Sequence, residues 1–78
     1  MKFAFGDIVV IDNIEIGVIV KSYLNLDNKK GKFNYDVYVR DYNTIKNYEE
    51  KDIQRYMVRH KFLSEEDYEC QKYAMKKF

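Results

Sequence analysis

The sequence predicts a mainly β domain: a small antiparallel barrel of four or five strands with a C-terminal α-helix. Three observations carry that reading. Segments rich in β-branched and aromatic residues repeat with period two from Phe3 to about Val58. Turn-forming clusters separate them at short intervals. The periodicity then becomes helical after Ser64, with acids at the front and lysines at the back. A curled sheet is the economical assembly of such strands, because closure removes unpaired edges and a terminal helix can cover one opening; a different small α+β sheet-plus-helix fold is the alternative.

Taken in order, Gly6-Asp7 predicts a turn or bulge ahead of the β-branched run Ile8 to Ile11, and Asp12-Asn13 predicts a tight turn after it. Ile14, Ile16, Val18 and Val20 then keep period two, opposite Glu15, Gly17, Ile19 and Lys21, which predicts a half-buried strand with Ile19 facing outward. Gly17 inside this strand predicts a bend or a close backbone approach. Residues 25–32 are polar and turn-forming, the longest loop. The next strand runs from Phe33 to Tyr42, with Phe33, Tyr35, Val37 and Val39 on one face and Asn34, Asp36, Tyr38 and Arg40 on the other. Asp41 to Asn43 turns the chain again, and Thr44 to Tyr48 is a further short strand. Glu49 to Asp52 begins a helical turn carrying Ile53, Tyr56 and Met57, and a last strand through Met57 and Val58 would follow.

Ser64 followed by Glu65, Glu66 and Asp67 predicts an N-cap and first turn, with Leu63 and Tyr68 placed as a hydrophobic staple. The helix runs from Glu65 to about Lys76. Its apolar residues fall near two lines, Tyr68 and Met75 beside Gln71, and Cys70, Tyr73, Ala74 and Phe78, which predicts a broad contact face. The expected organisation is one domain, residues 1–62 forming the barrel and 63–78 the helix packed on it.

Composition narrows the function. Seventy-eight residues suffice for one modest core, with about 63% of the unfolded surface buried, which excludes a multidomain enzyme. One cysteine, Cys70, excludes an internal disulfide framework and a thiolate-rich zinc site. No apolar run reaches the ~20 residues that span a bilayer, and Asp7 interrupts any signal-like start, so the expected location is cytoplasmic with no membrane partner. The charge is spread evenly: residues 1–30 sum to zero, 31–63 to +2 and 64–78 to −1, giving the net +1.

The stretches Phe5-Gly6-Asp7-Ile8-Val9-Val10, Glu15-Ile16-Gly17-Val18-Ile19-Val20 and Tyr35-Asp36-Val37-Tyr38-Val39 resemble those of small SH3-like barrels, the broad group containing Tudor, KOW and related chromatin, transcription and ribosome-associated modules. The resemblance covers residues 3–58 and concerns scaffold positions, so it places no functional residue. It implies a module that binds proteins or nucleic acids through loops and barrel faces and does not catalyse a reaction.

The residues point the same way. His60 is the only histidine, and a Cys70-His60 pair lacks a third orienting group; Cys70 also lies beyond the helix start that would lower its pKa. The acidic pairs Glu49-Glu50 and Glu65-Glu66 do not oppose one another across a pocket as a general acid and base must. Asp7, Asp12 and Glu15 lack calcium-loop spacing, and Lys29 to Lys32 lacks the glycine-rich curve of a phosphate loop. No cofactor is expected.

The candidate partner-binding surface is aromatic and basic. Tyr38, Arg40 and Tyr42 would share a strand face, and Lys51, Arg55 and Arg59 would recur at i, i+4 and i+8 if that segment is helical. Tyrosine and arginine combine contact area with directional hydrogen bonds, which suits an unidentified protein partner. Nucleic acid is the alternative, using lysine and arginine on phosphates and tyrosine for stacking, although Asp36, Asp41, Glu49, Glu50 and Asp52 break up the attractive field. Self-association through a sheet edge or the apolar helix face is a further expectation.

Overall fold

A computed structural model describes residues 3–12, 14–24, 33–55 and 65–78. Five antiparallel strands, β1 (Ile8–Ile11), β2 (Glu15–Leu24), β3 (Phe33–Val39), β4 (Thr44–Glu49) and β5 (Ile53–Arg55), form one sheet in the order β4-β3-β2-β1-β5. Among the described residues, a 3-10 turn, Glu50–Asp52, separates β4 from β5, and a helix, α1 (Glu65–Lys77), follows. The architecture is therefore mainly β with a C-terminal helix, as expected. The sheet is not closed into a barrel: β4 and β5 stand at opposite edges, and closure would need the two to pair.

Both faces of the sheet are packed, which explains how an open sheet holds a core. One face gathers Phe3, Val9, Ile11, Ile19, Tyr35, Val37, Val39 and Ile53. The opposite face gathers Ile8, Val18 and Tyr38 under Ala74 of α1. Ile19 therefore points into the first core, contrary to its expected outward placement, because the centre of β2 is covered on both sides. Ile14, expected to continue the buried period, lies in the turn before β2 and is 81% exposed.

A register shift between Ile19 and Lys21 ends the period-two pattern of β2. The extra residue turns Lys21 and Tyr23 to the helix side, beside Asp36 and Asn34 of β3. There Tyr23 donates to Asp36, Asn47 donates to Asp36 at 2.9 Å and Asn34 donates to Asn47 at 2.9 Å.

Gly6, in a turn, and Gly17, within β2, act as expected. Gly6 has φ +90°, and its N–H donates to the Ile19 carbonyl at 2.8 Å, so the turn itself extends the pairing with β2. A Cβ on Gly17 would overlap Cγ1 of Val37 and lie 3.2 Å from the Tyr38 carbonyl oxygen, so the missing side chain permits the close approach of β2 to β3.

The helix docks through Asp67 and Ala74, both buried, with Cys70 and Gln71 half-buried between them, an i, i+3, i+4, i+7 stripe. Gln71 Nε2 donates to the Gly6 carbonyl at 2.7 Å, and Met75 packs against Gly6. Tyr73 and Phe78 against the Tyr38 ring and Met75 against Gly6 widen this stripe into a broad contact face, more polar at its centre than the apolar lines alone suggest. Tyr68, Tyr73, Met75 and Phe78 all remain about half exposed. The N-cap Ser64, the staple residue Leu63, the long loop 25–32 and the proposed strand at Met57 and Val58 lie outside the described residues.

Candidate protein-interaction edge

The sequence placed Tyr38, Arg40 and Tyr42 on one strand face, but β3 ends at Val39 and residues 40–43 form a turn. Asn43 takes φ +50°, the left-handed region that asparagine tolerates, and the chain reverses there into β4. The three side chains consequently reach three different surroundings.

Tyr38 is buried beneath α1. Its ring centroid lies 5.4 Å from that of Tyr73 and 5.9 Å from that of Phe78, and its hydroxyl donates to Asn43. Burial raises its pKa above the ordinary tyrosine value.

Arg40 is committed within the molecule. Its Nη1 donates to Asp67 of α1 and its Nε to Asp41 at 3.2 Å, with Glu66 4.0 Å away. Burial acts to lower the guanidinium pKa, but the carboxylates of Asp41 and Asp67 outweigh it and leave the group more firmly cationic.

Tyr42 is the exposed member of the trio, at 56%. The Lys46 ammonium sits 4.4 Å from its ring centroid, a cation–π distance. A hydrogen bond from its hydroxyl to the Glu15 carboxylate raises its pKa, because ionisation would set two negative charges side by side. Lys46 and Tyr48 lie on the same face of β4, opposite Val37 and Tyr35 of β3. Tyr48 packs against the first core, and its pKa is raised by burial first and by the Glu15 carboxylate second. Tyr42, Lys46 and Tyr48, with Glu15 brought from β2, thus form an aromatic and charged group along the exposed strand. Lys46, Tyr48 and Glu15 were not among the partner-binding residues singled out from the sequence. Alternation links Lys46 to Tyr48, but Glu15 arrives only by folding.

In the basic series Lys51, Arg55, Arg59, the described pair Lys51 and Arg55 is not on one helix. Lys51 lies in the 3-10 turn and Arg55 ends β5, so the chain is extended between them; Arg59 lies outside the described residues. Lys51 Nζ is 3.3 Å from Glu49 Oε2, an exposed pair.

Burial pushes the Cys70 thiol pKa up, which keeps it protonated at neutral pH; His60, its imagined partner, lies outside the described residues. Among the described residues, Asp7, Asp12 and Glu15 included, no three His, Cys, Asp or Glu side chains form a group able to hold a metal ion. No helix among them is long and apolar enough to cross a membrane. Comparison with known proteins found no matching family model, no similar curated protein and no similar solved structure.

Proposed function

We propose that this chain is a non-catalytic interaction module that receives a partner protein on the aromatic and basic group at Tyr42, Lys46 and Tyr48, with Lys51 in the turn that follows β4; Arg55 belongs to β5 at the opposite edge of the sheet and is left out of this surface. The observation that carries the reading is Tyr42. A tyrosine more than half exposed has the Lys46 ammonium 4.4 Å from its ring centroid, and interaction with the Glu15 carboxylate raises its pKa. An aromatic side chain ordered before binding loses little rotamer freedom on contact, which favours it as an anchor. Tyr38 and Arg40, the other strand-face candidates, serve the helix contact in this reading. The scaffold is read as an open relative of the SH3-like barrel, supported by the run β1 to β4 and by β5, which follows a 3-10 turn and returns to β1.

The nucleic-acid reading is weaker on the same surface. From Thr44 to Asp52 two lysines face three acids, and Lys51 is already paired with Glu49, so no continuous positive field runs along the edge.

The test is affinity capture with the purified chain beside its Tyr42→Ala/Lys46→Glu variant. A protein bound by the parent chain and weakened at least about ten-fold by the pair of substitutions supports the module. Equal binding to both folded chains overturns this surface. Binding that depends on nucleic acid and falls steeply with salt overturns the protein reading in favour of the other.

A further inference from the structure

We propose that β4 pairs with β4 of a second copy of this chain, antiparallel about a two-fold axis at Asn47. Strand β4 is an edge: six residues long, largely exposed, and bonded among the described residues to β3 alone. Alternate residues of an antiparallel strand turn their N–H and C=O groups away from their one neighbour, so β4 offers an outward row of donors and acceptors. Proline, a common means of blunting such an edge, is absent from the whole chain.

The residues of β4 specify the occupant. Two copies related by a two-fold axis bring the same face of each strand together, so only registers centred on a residue are allowed. Two of these use five of the six residues, one centred on Lys46 and one on Asn47. The first sets the Lys46 ammonium directly opposite its own copy, and like charges in that position are destabilising. The second sets Asn47 opposite Asn47, Ile45 opposite Glu49, and Lys46 opposite Tyr48 of the second copy. Lys46, already 4.4 Å from the Tyr42 ring centroid, then lies between two tyrosine rings, one from each chain. The strand is its own complement in this register, with both halves of the cation and ring pair on one segment, as an isologous interface requires. Charge thus selects one register, and the pairing joins two five-stranded sheets into one of ten strands.

This association draws on Lys46 and Tyr48 of the same group but needs no foreign partner, so sedimentation of the purified chain tests it apart from the module proposed above. Sedimentation of the purified chain over a concentration series should show the mass rising from 9.5 kDa toward twice that value. Asn47→Lys, which places like charges across the axis, should hold the chain at the monomer mass with its circular dichroism unchanged. In a Cys70→Ala background, Asn47→Cys should form a disulfide-linked dimer on mild oxidation and Lys46→Cys should not. A monomer even at millimolar concentration, a dimer indifferent to Asn47→Lys, or preferential cross-linking through Lys46→Cys each overturns the proposal.

Discussion

Arg40, one residue beyond the end of β3, and Asp67, in the first turn of α1, are 27 positions apart in sequence and form the ion pair that fixes the start of the helix on the sheet. Asp67 is only 4% exposed, and an aspartate at that depth requires such partners. The Arg40 backbone N–H also donates to the Ile16 carbonyl at 2.9 Å, so the guanidinium is held at a fixed point of the sheet. Gln71 makes the next contact, and the Tyr38, Tyr73 and Phe78 rings the last. The helix is thus anchored by polar contacts at its start and middle and by aromatic packing at its end.

Removing the carboxylate from that pair exposes its weight. Asp67→Ala should cost about 1.5–3 kcal/mol, the range for a hydrogen bond to a charged group that is partly shielded from water. The urea midpoint reads the loss. Asp67→Asn should recover part of it by keeping a hydrogen-bond acceptor; an alanine variant as stable as the parent would contradict the anchoring role.

Tyr38 and Tyr42 should separate folding from binding. Tyr38→Ala removes a buried ring and should cost about 3–5 kcal/mol, whereas Tyr42→Ala, at an exposed turn, should stay within about 0.5 kcal/mol. Thermal denaturation of the two variants side by side checks the contrast. Comparable losses would mean that Tyr42 is a packing residue and not a contact surface.

Gly17→Ala should be destabilising despite the ordinary preference of strands for a side chain over glycine. The added methyl meets Val37 and the Tyr38 carbonyl in the fully buried centre of the sheet, and overpacking of that kind costs about 1–3 kcal/mol. A denaturation midpoint equal to or above that of the parent would show that β2 and β3 can separate without penalty.

Alkaline pH should loosen the fold. Tyr23 is raised above 10.0 chiefly by its hydrogen bond to Asp36, Tyr42 by its hydrogen bond to Glu15, and Tyr38 and Tyr48 by burial. A folded pKa above the unfolded one means that the native state holds the proton more tightly. The resulting stability is complete below about pH 10 and is lost as pH rises through the folded values. Lys77, raised by its hydrogen bond to Tyr73, acts in the same direction. The urea midpoint, followed together with tyrosinate absorbance, should be level through neutrality and fall above about pH 10. A midpoint unchanged into strong alkali would exclude this linkage.

Much of the fold was legible in the residues because its signals are local. Alternation marked the strands, Gly6 and Asp12 marked turns that need φ above zero, and the acids at Glu65 to Asp67 marked the helix start within the first turn where the dipole acts. The candidate edge was legible in part. Tyr42 stands out as an aromatic beside basic residues, and Asp41 to Asn43 marked the turn, but the residues did not show that β3 ends at Val39, which separates Tyr42 from Tyr38. The expected helical turn after Tyr48 is present as the 3-10 turn Glu50–Asp52, but it stops before Ile53, because pairing of Ile53 with Ile11 outweighs local propensity and extends the chain to Arg55.

The sequence by itself determined what short-range physics can decide: a mainly β chain, its turns, the extent of a C-terminal helix, and the lack of a disulfide framework. Tertiary structure alone decided which side of each element is buried. Ile19 points inward because both faces of the sheet are covered, and Lys21 changes sides because one residue is inserted in β2. The docking stripe of α1 is half polar because Asp67 and Gln71 find Arg40 and the Gly6 carbonyl waiting for them. A hydrophobic pattern cannot register a polar side chain whose partner lies on a distant segment, and such long-range pairing separates the residues that hold this fold together from those left exposed along β4.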